Sequence, residues 1–135
     1  MSNVTLGIIG SGQLGSFLCQ SAKKLKIKTV VISDDKDGPA QKYTDHFIYS
    51  KYDDEEKINK FIRLVDIVTF EFENIPAEVL AKINKEKKVI PKPEINTIIQ
   101  NRKLEKEFVN NLGITTTEWA FIKSSEDVKK NIKLL

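Results

Sequence analysis

One cysteine, one histidine and two arginines occur in 135 residues, and each scarcity removes a class of chemistry. A lone cysteine, Cys19, cannot close an internal disulfide, so nothing calls for an oxidising compartment. It falls in the first helix and is expected to be a small packing residue. A single histidine, His46, without clustered cysteines lacks the donor set of a metal site. No metal ligands are assigned, and His46 is read as structural or surface. No apolar run approaches the ~20 residues of a membrane span, and the N-terminus lacks the charged and apolar segments of a signal peptide. A cytoplasmic protein without membrane contact is expected. A net charge of +3 is too mild to imply nucleic acid. The lysines are interleaved with acids, as in Lys82-Ile83-Asn84-Lys85-Glu86-Lys87-Lys88, which reads as solvated surface. A G-x-S-x-G elbow and a P-loop lysine are both absent, and no catalytic residue is assigned.

What is present is an apolar run that breaks into glycines. Leu6-Gly7-Ile8-Ile9-Gly10-Ser11-Gly12-Gln13-Leu14-Gly15 carries Gly10, Gly12 and Gly15 at G-x-G-x-x-G spacing, the layout of a phosphate-binding strand–turn–helix. Gly10 can take a tight turn with positive φ, Gly12 leaves the backbone open to a ligand, and Gly15 lets the helix approach the strand. The helix N-terminus then offers free N–H groups to an anion.

Apolar and polar periodicities alternate from Val4 to about Ile90. Strands are expected at Val4–Ile9, Thr29–Ser33, Phe47–Tyr49, Val65–Phe72 and Val89–Ile90, and helices at Gln13–Leu25, Asp53–Arg63 and after Pro76. This pattern predicts an α/β fold with an open, doubly wound parallel sheet of Rossmann-like type. Glu94–Leu112 reads as helix interrupted near Asn101, with Gly113 as its C-terminal cap. Ligands of such sheets bind outside the carboxyl ends of the strands. Three loops are expected to converge there: Gly10–Gly15, Ser33–Gln41 and Phe72–Pro76.

Two readings compete for the glycine loop. In a dinucleotide site, Asp34 would meet the ribose hydroxyls, since it lies nineteen residues beyond Gly15 at a strand end. In a sugar-phosphate site, Gln13 and the loop amides would hold the substrate. The plainer possibility is a tight turn whose glycines serve packing. In Val68-Thr69-Phe70-Glu71-Phe72-Glu73-Asn74-Ile75-Pro76, strand alternation puts Glu71 and Glu73 on one face, projecting into the crevice, with Glu73 the stronger candidate. Arg102, an arginine where lysine is the habit, suits bidentate or stacking contact with a phosphate or an adenine; a surface salt bridge is the bland alternative.

Beyond Gly113 the character changes. Trp119–Ile122 reads as a strand. Ser124 and Asp127 have capping-box spacing before a helix with apolar Val128, Ile132 and Leu135. An apolar helical face at a chain end is expected either to fold back on the sheet or to mean that the chain is cut from something longer, with the cut favoured.

Taken in order, four segments resemble the 5-(carboxyamino)imidazole ribonucleotide synthetase family, the ATPase subunit of phosphoribosylaminoimidazole carboxylase and a member of the ATP-grasp superfamily. They are Ile8–Gly15, with Ser11 replacing a glycine; Asp34 with Pro39-Ala40; Tyr52-Asp53-Asp54 followed by Thr69–Pro76; and Pro91-Lys92-Pro93 through Gln100–Lys106 and Leu112-Gly113-Ile114. The resemblance implies purine biosynthesis, with ATP and Mg²⁺ used to join bicarbonate to 5-aminoimidazole ribonucleotide. It implies substrate contacts from Gln13, Leu14 and Glu73, and contact with ATP phosphates from Arg102; Gly12 and Asp34, singled out by the loop spacing, are counted with the substrate-binding residues. Residues 1–113 would form a substrate-binding pre-ATP-grasp domain, and residues 114–135 a connection and the first elements of an incomplete ATP-grasp domain. The family's adenine-binding lysine, glycine-rich lid and acidic magnesium ligands are not found, so the chain alone is expected to be catalytically inert. A homodimer is compatible with this. Two alternatives stand beside it: an NAD(H)-binding regulatory Rossmann module, which would need only the glycine loop and Asp34, and a non-catalytic subunit pairing with a separate ATP-grasp chain.

Overall fold

A computed structural model describes residues 4–132. The chain divides into two compact units at the Thr97–Ile98 junction. In the first unit, β1 (Thr5–Ile9), β2 (Lys28–Ser33), β3 (His46–Tyr49), β4 (Ile67–Phe70) and β5 (Lys88–Val89) form one parallel sheet in the order β3-β2-β1-β4-β5. Between them run α1 (Gln13–Lys24), a 3-10 turn (Pro39–Lys42), α2 (Glu55–Leu64) and α3 (Ala77–Glu86), followed by α4 (Pro93–Ile99). The doubly wound sheet expected from the alternating pattern is present.

Side-chain alternation sorts the strands onto two cores. Ile8 and Val31 join Cys19 of α1 and Ala40 of the 3-10 turn on one face. Ile9, Val30, Ile32 and Val68 join Phe61 and Ile62 of α2 and Leu80 and Ile83 of α3 on the other. Cys19 is fully buried, and burial foremost pushes its thiol pKa up, which suits a packing residue rather than a nucleophile. Helix α2 shows why these residues are helical. Asp54 caps it by accepting from the Lys57 amide at 3.0 Å, Glu55 and Glu56 sit in its first turn, and Arg63 sits in its last. Its buried residues Ile58, Phe61 and Ile62 follow helical spacing.

Strand β4 is shorter than the Val65–Phe72 run suggests. It starts late because α2 runs to Leu64 and takes Val65 as its C-cap; Asp66 then joins the chain to β1, its amide donating to the Thr5 carbonyl at 2.9 Å and its carboxylate accepting from the Thr5 amide at 2.7 Å. At its other end the Glu71 amide still donates to the Ile9 carbonyl at 3.2 Å, after which the chain leaves the sheet.

The second unit contains α5 (Arg102–Asn111) and α6 (Ser125–Asn131). The expected break near Asn101 is a cap: Asn101 Oδ1 accepts from the Lys103 and Leu104 amides at 3.1 and 3.2 Å. Gly113 closes α5 with φ +75° and donates to the Asn110 carbonyl at 2.9 Å. The strand expected at Trp119–Ile122 does not form. A strand needs a partner edge to receive its backbone groups, and no strand lies among the described residues of this unit. Its side chains are held otherwise: Trp119 Nε1 donates to Asn110 Oδ1 at 3.2 Å, and the Phe121 ring faces Lys103 Nζ and Lys123 Nζ at 5.2 and 5.5 Å. Val128 and Ile132 are exposed; Leu135, expected to continue their face, lies outside the described residues.

The capping box at α6 is present, with aspartate in the usual place of glutamate. Asp127 Oδ2 accepts from the Lys123 and Ser124 amides, each at 3.0 Å. The Lys123 amide first and Ser124 second hold its carboxyl below the ordinary 3.8. A carboxyl depressed in the folded state contributes stability that is present above the unfolded pKa and is lost as pH falls through the folded one. In an acid titration followed by NMR, the Lys123 and Ser124 amides are expected to shift together with a midpoint below 3.8. A midpoint at or above that value would contradict the box.

Candidate functional site

Strand order reverses at β1: β2 lies on one side of it and β4 on the other. The crevice between the carboxyl ends of β1 and β4 is therefore the topological switch point, where open α/β sheets bind ligands. A side-chain hydrogen bond spans it, from the Gly12 amide to Glu71 Oε1 at 2.9 Å.

Gly10 makes the turn with φ +108°, a conformation that glycine alone adopts cheaply, and its amide donates to the Ile32 carbonyl at 2.9 Å. The three glycines of the motif surround one oxygen. Cβ atoms built on Gly10, Gly12 and Gly15 would stand 2.6, 3.2 and 3.4 Å from Glu71 Oε1. Gly15 also keeps clear of the Gly10 carbonyl, which a Cβ would meet at 2.9 Å. The approach to Gly12 expected of a ligand is thus made by the protein's own Glu71 carboxylate.

The second loop is tied to the first. The Ala40 amide donates to the Ser11 carbonyl at 3.0 Å. Ser11 Oγ lies 2.8 Å from Ser33 Oγ and 3.2 Å from the Asp35 carbonyl, and Ser33 Oγ accepts from the Asp35 amide at 3.1 Å. Gly38 packs against Ser11 so closely that any Cβ there would overlap the serine side chain. Residues 10–12, 33–35 and 71–72, with Tyr52, enclose a cleft of about 270 Å³. An adjoining hollow of about 420 Å³ shares Asp34 and Tyr52 and adds Lys51, Asn74 and Pro76. The three expected loops do converge.

Of the residues singled out in the sequence, Gly12 and Asp34 line the cleft. Gln13 is the first, exposed residue of α1; its carbonyl accepts from Ser16 Oγ at 2.8 Å, and it does not line the cleft. Leu14, 59 % exposed, borders a separate apolar hollow with Phe17, Leu18 and Phe70. Glu73 is exposed on the loop after β4. Both acids lie beyond the end of β4 at Phe70, so the strand alternation expected to align them does not extend to either. Arg102 opens α5 in the second unit and pairs with Glu105, the arrangement of a surface ion pair.

Of the two acids expected to project into the crevice, the structure puts Glu71, not the favoured Glu73, against the glycine loop, since no sequence pattern shows which of two acids turns toward it. One cleft residue is not among the expected ligand candidates. Tyr52 is 9 % exposed with an unpartnered hydroxyl. Burial, and then the charge of Asp34, push its phenol up to about 12, so it stays neutral. The Ser33 side chain and Asp34 backbone are close enough to favour the phenolate slightly, yet neither completes a hydrogen bond to it. Its signals in the sequence are an aromatic residue shortly after a strand end, inside a polar loop, and its place in the family-like segment Tyr52-Asp53-Asp54. Among the described residues no three His, Cys, Asp or Glu side chains converge to hold a metal ion, so no step through Mg²⁺ is assigned to this chain. No helix of the described residues is long and apolar enough to cross a membrane.

An open parallel sheet with its cleft at the switch point defines a Rossmann-like, small-molecule-binding α/β domain. Residues 3–100 match the ribonucleotide synthetase preATP-grasp domain, and the chain belongs to that RS_preATP-grasp-like family. It is 39 % identical over 132 residues to the N5-carboxyaminoimidazole ribonucleotide synthase of Staphylococcus aureus (strain COL), a match covering 97 % of this chain and 35 % of the relative. The Brucella melitensis synthase is 34 % identical over 122 residues, covering 90 % and 34 %. Among solved structures, the S. aureus synthetase complexed with ADP superposes with a TM-score of 0.88 at 36 % identity, covering 98 % of this chain and 35 % of that one. The Aspergillus clavatus synthase in complex with ADP and 5-aminoimidazole ribonucleotide gives 0.84 at 26 % identity, covering 99 % and 37 %. The chain therefore spans about 35 % of the length of the relatives it matches.

Proposed function

We propose that this chain is the ribonucleotide-binding, amino-terminal part of an ATP-dependent ligase that carboxylates 5-aminoimidazole ribonucleotide in purine biosynthesis. In that reaction ATP and bicarbonate form carboxyphosphate, and the exocyclic amine captures its carbon with loss of phosphate. The observation that carries this is one of position. Residues 10–12, 33–35 and 71–72 and Tyr52, which enclose the cleft, all fall inside the span that matches the ribonucleotide synthetase family.

Gly12 and Asp34 would meet the substrate from the cleft itself. Gln13, Leu14 and Glu73 would meet it from the rim, and Arg102 would serve the ATP side. Substrate binding by residues 1–113 and a connection to an ATP domain over 114–135 belong to the same proposal, as do a cytoplasmic setting and a homodimer. Apart from Arg102, contacts with ATP and Mg²⁺ and the phosphoryl chemistry are assigned to the part of the relatives that this chain does not match. Such chemistry depends on positioning and charge neutralisation rather than on a covalent nucleophile.

Calorimetric titration tests this against the NAD(H)-sensor alternative. Saturable binding of 5-aminoimidazole ribonucleotide without binding of NADH is the expected result. NADH binding without ribonucleotide binding would favour the regulatory module. ATP hydrolysis driven by the ribonucleotide and bicarbonate is expected to be absent with this chain alone, and turnover free of any partner would refute that expectation.

A further inference from the structure

A glycine loop opening a helix at a switch point ordinarily seats a phosphate, because unpaired amides and the helix dipole favour an anion there. In this protein the Gly12 amide of that loop is already taken. Glu71 Oε1 accepts from the Gly12 amide at 2.9 Å, and Gly10, Gly12 and Gly15 all leave room for that same oxygen, their built Cβ atoms falling 2.6 to 3.4 Å from it. Asp34 and Asp35 line the same cleft, and no lysine or arginine does so; Lys51 belongs to the adjoining hollow. The 9 %-exposed Tyr52, its hydroxyl unpartnered, forms part of the same wall. A phosphate entering here would meet like charge on the carboxylate side and would have to displace Glu71 from Gly12, at an electrostatic cost that a low-dielectric crevice enlarges.

We propose that Glu71 is a specificity-determining residue: its carboxylate occupies the glycine loop's anion seat, excludes phosphate from the cleft, and commits the cleft to a part of its ligand rich in N–H and O–H donors. Glu71 presents a second carboxylate oxygen and Asp34 a whole carboxylate, both acceptors only. They suit an amino-substituted heterocycle or its sugar hydroxyls, with the ligand's phosphate held outside the cleft. Only the identity of that ligand rests on the ribonucleotide reading above; exclusion of phosphate rests on the geometry alone.

The Gly12 amide resonance reads the seat directly. In the wild-type chain, inorganic pyrophosphate is expected to leave it unmoved into the millimolar range. In Glu71→Ala, which clears both space and charge, it is expected to shift saturably, with affinity at least ~10-fold above wild type. Glu71→Gln keeps the shape and removes the charge. It is expected to weaken 5-aminoimidazole ribonucleotide by ~10-fold in calorimetry, the loss typical of one charge-assisted hydrogen bond, with thermal melting confirming a folded variant. A wild-type Gly12 amide that follows pyrophosphate overturns the proposal. So does an alanine variant no more responsive than wild type, or a glutamine variant with undiminished affinity for the ribonucleotide. If the wild-type chain takes up no ribonucleotide at all, the ribonucleotide reading falls, while the Gly12 amide still decides whether Glu71 excludes phosphate.

Discussion

Gly10→Ala is expected to destabilise the first unit by about 3 kcal/mol, a drop of roughly 12–24 °C in melting temperature for a unit of this size. Two costs add. The backbone there has φ +108°, where any Cβ is strained. The new methyl would also stand 2.6 Å from Glu71 Oε1 and 3.0 Å from its carboxyl carbon, so the carboxylate would have to leave the Gly12 amide. Thermal unfolding measures the total, and the Gly12 amide shift reports whether Glu71 has moved. A loss below ~1 kcal/mol would mean that the loop relaxes freely and that the glycine is not needed for the turn.

Phe61→Ala is expected to cost about 3–5 kcal/mol, since the ring is fully buried and its removal leaves a cavity in the core. Beneath that ring lies Gly7, whose built Cβ would come within 2.6 Å of Phe61 Cζ and 3.0 Å of Val65 Cγ1. Gly7→Ala alone is therefore an overpacking change, costing about 1–3 kcal/mol, although alanine ordinarily favours a strand interior over glycine. Combined, the two are expected to cost less than their sum by about 1 kcal/mol or more, because the methyl then enters space vacated by the ring. Denaturant unfolding of the four proteins in the cycle measures the coupling. Strict additivity would show that Gly7 and Phe61 do not share that space.

Much of this architecture was legible from periodicity and punctuation. Burial on both faces demands continuous apolar strands, so Ile8-Ile9 and Val30-Val31-Ile32 identify themselves. Caps are local chemistry, so Gly113 and the Ser124–Asp127 pair were readable without any tertiary contact. The strand expected at Trp119–Ile122 failed for the complementary reason: a strand is a relation to a neighbour, and β-favouring side chains cannot supply the other edge. Tyr52 was invisible as a cleft residue because its burial depends on where the loop after β3 lands.

Spacing along the chain was enough to reveal the alternating α/β plan, the positive φ of Gly10, the three loops at one end of the sheet and the family likeness. Which acid faces the glycine loop is settled by folding. Glu71 and Glu73 are two residues apart and chemically alike, and nothing local ranks them. The end of β4 at Phe70 breaks the alternation and turns one carboxylate onto the Gly12 amide. A hydrogen bond between residues 59 positions apart exists only once β1 and β4 lie side by side.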